Sequence, residues 1–306
     1  SIPRMTYGLE VTPLSDVDIS ILEHSHRQNA RLVQYIPQNT ARPAVLATIG
    51  WLSMSAHIAK LKLLFIWRIL CLPNENVYRR VVIDTLKCCI QGVISKKYTS
   101  TILDVYSYIV KYQMVDLLRR GIENNNFGDM TQWKSLIKKI IWEYEGNCWK
   151  ASVLMYPELR LYAETLREIR THVWWTYADK FPHLTNRVAT MIAILMGSQP
   201  KLLQCNFRSN KCTLCSLHEK DEPKHVLFNC NALGQMRVRL WPGVLQQMPY
   251  AMQQSFNTSS SEQKTSLLLT CLGGNYVPEW TDIYEAIVMY VNAMYKSRYD
   301  QAIDNG

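Results

Sequence analysis

Three cysteines and one histidine lie close together in the segment 212–230, which reads CTLCSLHEKDEPKHVLFNC. Cys212, Cys215, His225 and Cys230 have the spacing C-x2-C-x9-H-x4-C. Thiolate and imidazole groups are the ligands that Zn²⁺ prefers in a tetrahedral site, and a two-residue gap lets both thiolates of the first pair face one point. The spacing therefore predicts one zinc ion bound by these four side chains.

The predicted zinc is structural, because four protein ligands leave no position open for a reacting water molecule. Structural sites of this kind contribute about 10–16 kcal/mol of metal-binding free energy to folding. Cys205 and His218 lie near enough in the sequence to be alternative ligands, although neither fits the C-x2-C and H-x4-C frame. NKCTLC and KHVLFNC are expected to form a short hairpin around the metal.

Motifs that support catalysis are absent from the sequence, which contains no Walker loop, no G-x-S-x-G and no H-E-x-x-H. YADK at 177–180 half-matches the Y-x-D-D metal-binding turn of polymerases. Its last position is Lys180, which would repel a cation, and the segment follows a helical pattern. We therefore predict no catalytic residues in this chain, and whether it is part of an enzyme stays open.

The basic charge of the chain is unevenly distributed. The net charge is +9, and the window 60–120 contains 11 Lys or Arg residues against 4 Asp or Glu residues. Such a window predicts a face that contacts the phosphates of RNA or DNA, while the alternative is an ordinary solvated helix surface. The candidate contacts are Lys60, Lys62, Arg68, Arg79, Arg80, Lys96, Lys97, Arg119 and Arg120.

Apolar residues recur mostly at helical spacing, which predicts a mainly α fold: a multi-helix bundle with a small CCHC zinc-binding insert. Ser15 and Asp18 have the spacing of a capping box at the first helix. The sequence has no run of 18 apolar residues, and three of its nine cysteines fall in the metal motif. We expect no membrane partner and an intracellular location, in the nucleus or the cytoplasm. Further helices are expected at 55–72, 77–94, 99–120, 158–180, 183–196, 231–248, 261–272 and 278–300, and in the segment that begins MTQWKSL.

The order of several motifs resembles the C-terminal region of the reverse transcriptases of non-LTR (LINE-like) retrotransposons. IPRMTYGLEV is similar to the passage that follows the polymerase core of that family, and the segment 44–73 is similar to the helix pair after it. RVATMIAILMGSQP then precedes CTLC and HVLFNC, as a helical segment precedes the zinc motif in the family.

The resemblance implies a nucleic-acid-binding, non-catalytic portion of a longer protein, with one structural zinc and with RNA or DNA as partner. The parent would be an RNA-directed DNA polymerase whose catalytic aspartates precede the matched region. A zinc-stapled α-helical scaffold for protein interactions, without a nucleic-acid role, is the alternative. The implied segments are the end of a palm and thumb at 1–50, a basic helical linker at 51–204, the CCHC motif at 205–241 and a C-terminal helical segment at 242–306.

Overall fold

The chain has a mainly α fold in a computed structural model, as the sequence predicts. Among the described residues the only pairings between extended segments are two isolated bridges, Ile49 with Thr171 and Lys211 with Lys220. In the same part of the chain no helix is both long enough and apolar enough to cross a membrane. The described residues are 6–93, 100–166, 168–198, 211–212, 214–215, 219–220, 222–270 and 276–304.

The chain divides into two compact units, and two of the divisions fall inside the helices Asp16–Gln34 and Met130–Leu154. Unit 1 consists of Ser1–Arg27 and Leu52–Trp149, and unit 2 consists of Gln28–Trp51 and Lys150–Gly306. The division between residues 149 and 150 falls inside the segment 51–204, which the sequence interpretation takes as one linker. The α-helices are α1 Asp16–Gln34, α2 Arg42–Ala47, α3 Met54–Leu70, α4 Val77–Ile90, α5 Thr101–Lys111, α6 Val115–Glu123, α7 Met130–Leu154, α8 Arg160–Thr165, α9 Val173–Lys180, α10 Thr185–Leu195, α11 Gly234–Gln247, α12 Tyr250–Thr258, α13 Ser261–Leu269 and α14 Thr281–Asp304.

Unit 1 is built around α3, which packs against α4 and α5. Its buried residues, including Ile58, Leu63 and Leu70, recur at helical spacing and face the same core as Leu86 of α4. The indole rings of Trp67 and Trp133 stack with their centroids 3.3 Å apart. This stack brings α7 onto the same core.

Unit 2 is built around α14, which packs against α10 and α11. Trp174, Tyr177 and Tyr284 are fully buried and contact one another edge to face. The indole N–H of Trp174 donates a hydrogen bond to the carbonyl oxygen of Leu269 at 2.8 Å, so the polar end of the ring is satisfied in the core.

Several helix ends follow local sequence signals. The hydroxyl of Ser15 accepts a hydrogen bond from the N–H of Asp18, and the Asp18 carboxylate accepts one from the N–H of Ser15, which confirms the predicted capping box. The expected helix 99–120 is instead interrupted between α5 and α6, where Gln113 has a φ of +58°. The expected helix 158–180 is also interrupted, because Thr171 pairs with Ile49 before α9 begins.

Candidate metal centre

Cys212 is positioned by a short antiparallel pairing. Its N–H donates a hydrogen bond to the carbonyl oxygen of Glu219 at 2.8 Å, next to the bridge between Lys211 and Lys220. The hairpin expected between NKCTLC and KHVLFNC is therefore wrong, because 211–212 pairs with 219–220 and the later segment is helical. The pairing places residues 219–220 next to Cys212, five residues before His225.

A single π-helical turn, His225–Asn229, positions the second pair of ligands. The N–H of Cys230 donates to the carbonyl oxygen of His225 at 2.7 Å, which closes a turn of five residues. This wide turn brings the side chains of residues i and i+5 together, and it gives the H-x4-C spacing a structural reason.

The four sequence-predicted ligands come together as one buried cluster. The Sγ atoms of Cys212 and Cys230 lie 3.9 Å apart, and Sγ of Cys215 lies 3.4 Å from Nε2 of His225. All four ligand atoms lie within 4.8 Å of one another, and all four residues are buried. The cluster could hold one metal ion.

Glu219 fixes the orientation of the histidine ring. Its Oε2 atom lies 2.8 Å from Nδ1 of His225, so a proton on Nδ1 would be shared with the carboxylate and Nε2 would face the sulfur atoms. A carboxylate that orients a ligating histidine in this way is common beside metal ions and makes the imidazole a stronger ligand. The C-x2-C-x9-H-x4-C pattern does not reveal this residue, although an acid six positions before the histidine is the available signal.

The π-helical turn is fastened to the core of unit 2. Arg237 donates from Nε to the carbonyl oxygen of Leu227 at 2.8 Å and from a terminal nitrogen to that of Cys230 at 3.0 Å. The hydroxyl of Tyr290 on α14 also donates to the Leu227 carbonyl oxygen, at 2.6 Å. These bonds give the carbonyl oxygens of Leu227 and Cys230 hydrogen-bond partners outside the turn. Contacts with the core of unit 2 therefore help to position His225 and Cys230.

Burial and the neighbouring thiol of Cys212 raise the pKa of Cys230 to about 11 in the metal-free protein. A bound cation reverses this effect, because a coordinating thiol is deprotonated by the ion. Metal binding at this cluster therefore releases protons and weakens as the pH falls. The alternative ligands Cys205 and His218 lie outside the described residues.

The basic residues of the window 60–120 do not all face solvent. Lys62 is fully buried and pairs with Asp104 at 2.8 Å, and Arg79 is buried with only 5% exposure. Neither cation lies on the exposed surface of the window, so we leave both out of the proposed nucleic-acid surface. Arg68, Arg80, Arg119 and Arg120 are exposed, Lys60 is half-buried, and Lys96 and Lys97 lie outside the described residues.

Other candidate residues are also placed by the structure. Trp149 and Trp174 are buried in the core, so their rings are not available to stack on unpaired bases. Lys134, Lys138 and Lys139 of α7 are exposed in unit 1, and the window 60–120 misses them because they follow it in the sequence.

The YADK segment lies within α9 rather than in a strand–turn–strand hairpin, so it cannot form a polymerase metal-binding turn. The ammonium group of Lys180 lies 4.2 Å from the centre of the Tyr276 ring, where it makes a cation–π contact.

Comparisons of the chain with protein-family models, curated proteins and solved structures find no match.

Proposed function

We propose that Cys212, Cys215, His225 and Cys230 bind one structural zinc ion. A tetrahedron of sulfur ligands with bonds of about 2.3 Å places the sulfur atoms about 3.8 Å apart. The 3.9 Å between the Sγ atoms of Cys212 and Cys230 agrees with that separation. Four protein ligands and their burial leave no place for a reacting water, so the proposed role of the zinc is to stabilise the fold.

The zinc assignment is tested by the metal content of the purified protein, measured by mass spectrometry. Wild-type protein and Cys148→Ser, which changes an exposed cysteine outside the cluster, are expected to contain one zinc per chain. Cys215→Ser is expected to lose most of it, because hydroxyl is a poor zinc ligand. An unchanged zinc content in Cys215→Ser, or a different metal in the wild-type protein, would refute the assignment.

For the chain as a whole, we propose a nucleic-acid-binding, non-catalytic role, like that implied for the C-terminal region of non-LTR reverse transcriptases. The observation that carries this proposal is the exposure of Arg68, Arg80, Arg119 and Arg120 in unit 1. Arginine contacts phosphates through several N–H donors at once, and such contacts need no reading of bases. The only ion pair among these four in the described part of the chain joins Arg119 to the exposed Asp116, and solvent weakens it.

The test is the salt dependence of binding to RNA and to DNA. Replacing Arg68, Arg80 and Arg120 by Gln is expected to lower the slope of log K against log salt by about 3, because each lost phosphate contact removes about 0.9. A matched variant removes three exposed cations of unit 2, at Lys150, Arg239 and Lys296, and is expected to keep the wild-type slope. Affinity that does not change with salt, or equal slopes in the two variants, would overturn the proposal.

A protein-interaction scaffold is the second candidate function. Val77, Tyr78 and Val81 at the start of α4 are 53–74% exposed, and neighbouring apolar side chains of this kind are typical of surfaces that bind proteins. A protein partner that is retained after nuclease treatment and lost in Tyr78→Ser would favour the scaffold. Loss of the partner on nuclease treatment would favour nucleic acid.

A further inference from the structure

Arg79 is a buried cation whose hydrogen-bond partners are all neutral. Its Nε donates to the carbonyl oxygen of Leu70 at 2.7 Å. One terminal nitrogen donates to the side-chain oxygen of Asn74 and the other to that of Asn125, the latter at 2.7 Å. These bonds join the end of α3, the start of α4 and the loop after α6, and they use three of the five N–H groups of the guanidinium.

None of the ion pairs in the part of the chain that the structure describes includes Arg79. The nearby acid Asp129 has its Oδ2 atom turned to the first amides of α7, from which it accepts hydrogen bonds at 2.8 and 3.2 Å. A buried charge without a counter-charge is costly, so a guanidinium in this state attracts an anion.

A cleft of about 350 Å³ lies beside Arg79. This volume is in the range of sites for small ligands. Three asparagines and Gly128 line it together with Arg79, and none of the described lining residues is acidic. Asn74, Asn125 and Asn126 are themselves exposed, so the cleft opens to solvent and an ion can enter it.

The loop that carries two of these asparagines is held in place. Asn125 has a φ of +50°, and the N–H of the next residue, Asn126, bonds to the carbonyl oxygen of Gly121 at 3.0 Å, which ends α6. The side-chain oxygen of Asn126 accepts from the N–H of Gly128 at 2.9 Å. Its amide N–H₂ group, like the two remaining donors of Arg79, makes no hydrogen bond in the described structure and can serve a ligand.

The amide of Asn125 donates to the side-chain oxygen of Asn74 at 3.2 Å. We propose that this cleft binds a phosphate group, with Arg79 as the charge partner and the amides of Asn74 and Asn126 as additional donors. A tetrahedral oxyanion has enough acceptors to receive the two remaining guanidinium donors and neighbouring amides together. The proposal does not depend on the nucleic-acid binding proposed above, because the site is tested with inorganic phosphate alone.

The experiment titrates inorganic phosphate into the full chain by calorimetry, with chloride replaced so that ionic strength is constant. The same titration is followed by NMR at the Nε–H resonance of Arg79, which Arg79→Lys identifies by its loss. Wild-type protein is expected to show saturable binding and a matching shift of that resonance. Asn74→Asp, which places a carboxylate at the position where Arg79 now donates to the Asn74 side chain, is expected to bind phosphate at least about tenfold more weakly.

Asn186→Asp is the matched control, because it makes the same chemical change at an exposed position of unit 2. It is expected to leave the affinity unchanged within about twofold, since distant surface charges are screened. Adding a single-stranded oligonucleotide distinguishes the source of the phosphate: displacement of bound phosphate identifies a nucleic-acid backbone, and retention identifies a small phosphorylated ligand. Either result supports the site, whereas an unshifted Arg79 resonance, or equal affinity in wild type and Asn74→Asp, overturns it.

Discussion

The ion pair between Lys62 and Asp104 allows the strongest prediction about unit 1. Nζ of Lys62 lies 2.8 Å from Oδ2 of Asp104, and the lysine side chain is 0% exposed while that of the aspartate is 14% exposed. The ammonium group also donates to the carbonyl oxygen of Thr12, and Asp104 accepts a bond from the N–H of Leu14. The pair therefore connects α3 to α5 and to the segment before α1.

Removing one charge of this pair and removing both charges are expected to have different effects on stability. Asp104→Asn leaves the ammonium group buried without its counter-charge, which costs about 3–5 kcal/mol. The double variant Lys62→Met with Asp104→Leu removes both charges and fills the space with apolar groups, and such replacements are neutral or stabilise by about 1–4 kcal/mol. The predicted order of stability is the double variant, then wild type, then Asp104→Asn.

The measurement is amide hydrogen exchange of peptides from α3 and α5, with peptides of unit 2 as an internal control. A loss of about 3–5 kcal/mol accelerates exchange by about 10²- to 10³·⁵-fold, since each 1.4 kcal/mol is a factor of ten. Salt-dependent nucleic-acid affinity is expected to be unchanged in the double variant, because Lys62 is buried. A double variant that is less stable than Asp104→Asn, or one that binds nucleic acid more weakly, would refute this reasoning.

Three further predictions concern unit 2. Glu219→Ala removes the carboxylate that orients His225, and we expect zinc affinity to fall by about 10–100-fold in a chelator competition assay with no change in metal stoichiometry. Burial lowers the pKa of His172 to about 3. The unfolded state alone then takes up a proton as the pH falls below the ordinary value of about 6.5, so stability is lost between about pH 6.5 and pH 3, by up to about 1.4 kcal/mol per pH unit. His172→Asn should reduce that slope in pH-dependent urea unfolding and still accept the N–H of Trp174, which His172 accepts at 3.2 Å. Gly50 has a φ of +68°, and an added Cβ would lie 2.8 Å from a backbone nitrogen, so Gly50→Ala is expected to cost about 1–3 kcal/mol in thermal unfolding.

Helix starts are the part of the fold that the sequence predicts best, because capping depends on residues three positions apart. Ser15 with Asp18 and Ser260 with Gln263 both form reciprocal caps. Helix interruptions are harder to predict. The break at Gln113 follows a helical pattern with no Gly or Pro signal, and Thr171, just before α9, pairs with Ile49, which is far away in the sequence.

The candidate metal ligands were predictable from the sequence, but the residues that hold them in place were not. The spacing of Cys212, Cys215, His225 and Cys230 is local, whereas Tyr290, which bonds to the turn between them, follows Leu227 by 63 positions. Charge counting has a related weakness. Lys62 and Arg79 contribute to the basic window like any other cation, and only the packing of α3 and α4 shows that both are buried.

The division into units separates two features that the sequence interpretation joined into one nucleic-acid-binding region. The metal cluster belongs to unit 2, where the π-helical turn packs against α14, and the exposed arginines of the basic window belong to unit 1. Phe228 lies within that turn. Its ring contacts Trp241 edge to face and Tyr290 in a tilted arrangement.

Metal removal should therefore change the packing of the core of unit 2, with little effect on binding through the basic residues of unit 1. We expect a chelator to change the fluorescence of the wild-type protein by an amount that Trp241→Phe reduces, while the salt slope of nucleic-acid binding stays within about one unit of its starting value. A slope that collapses together with the fluorescence change would contradict this prediction.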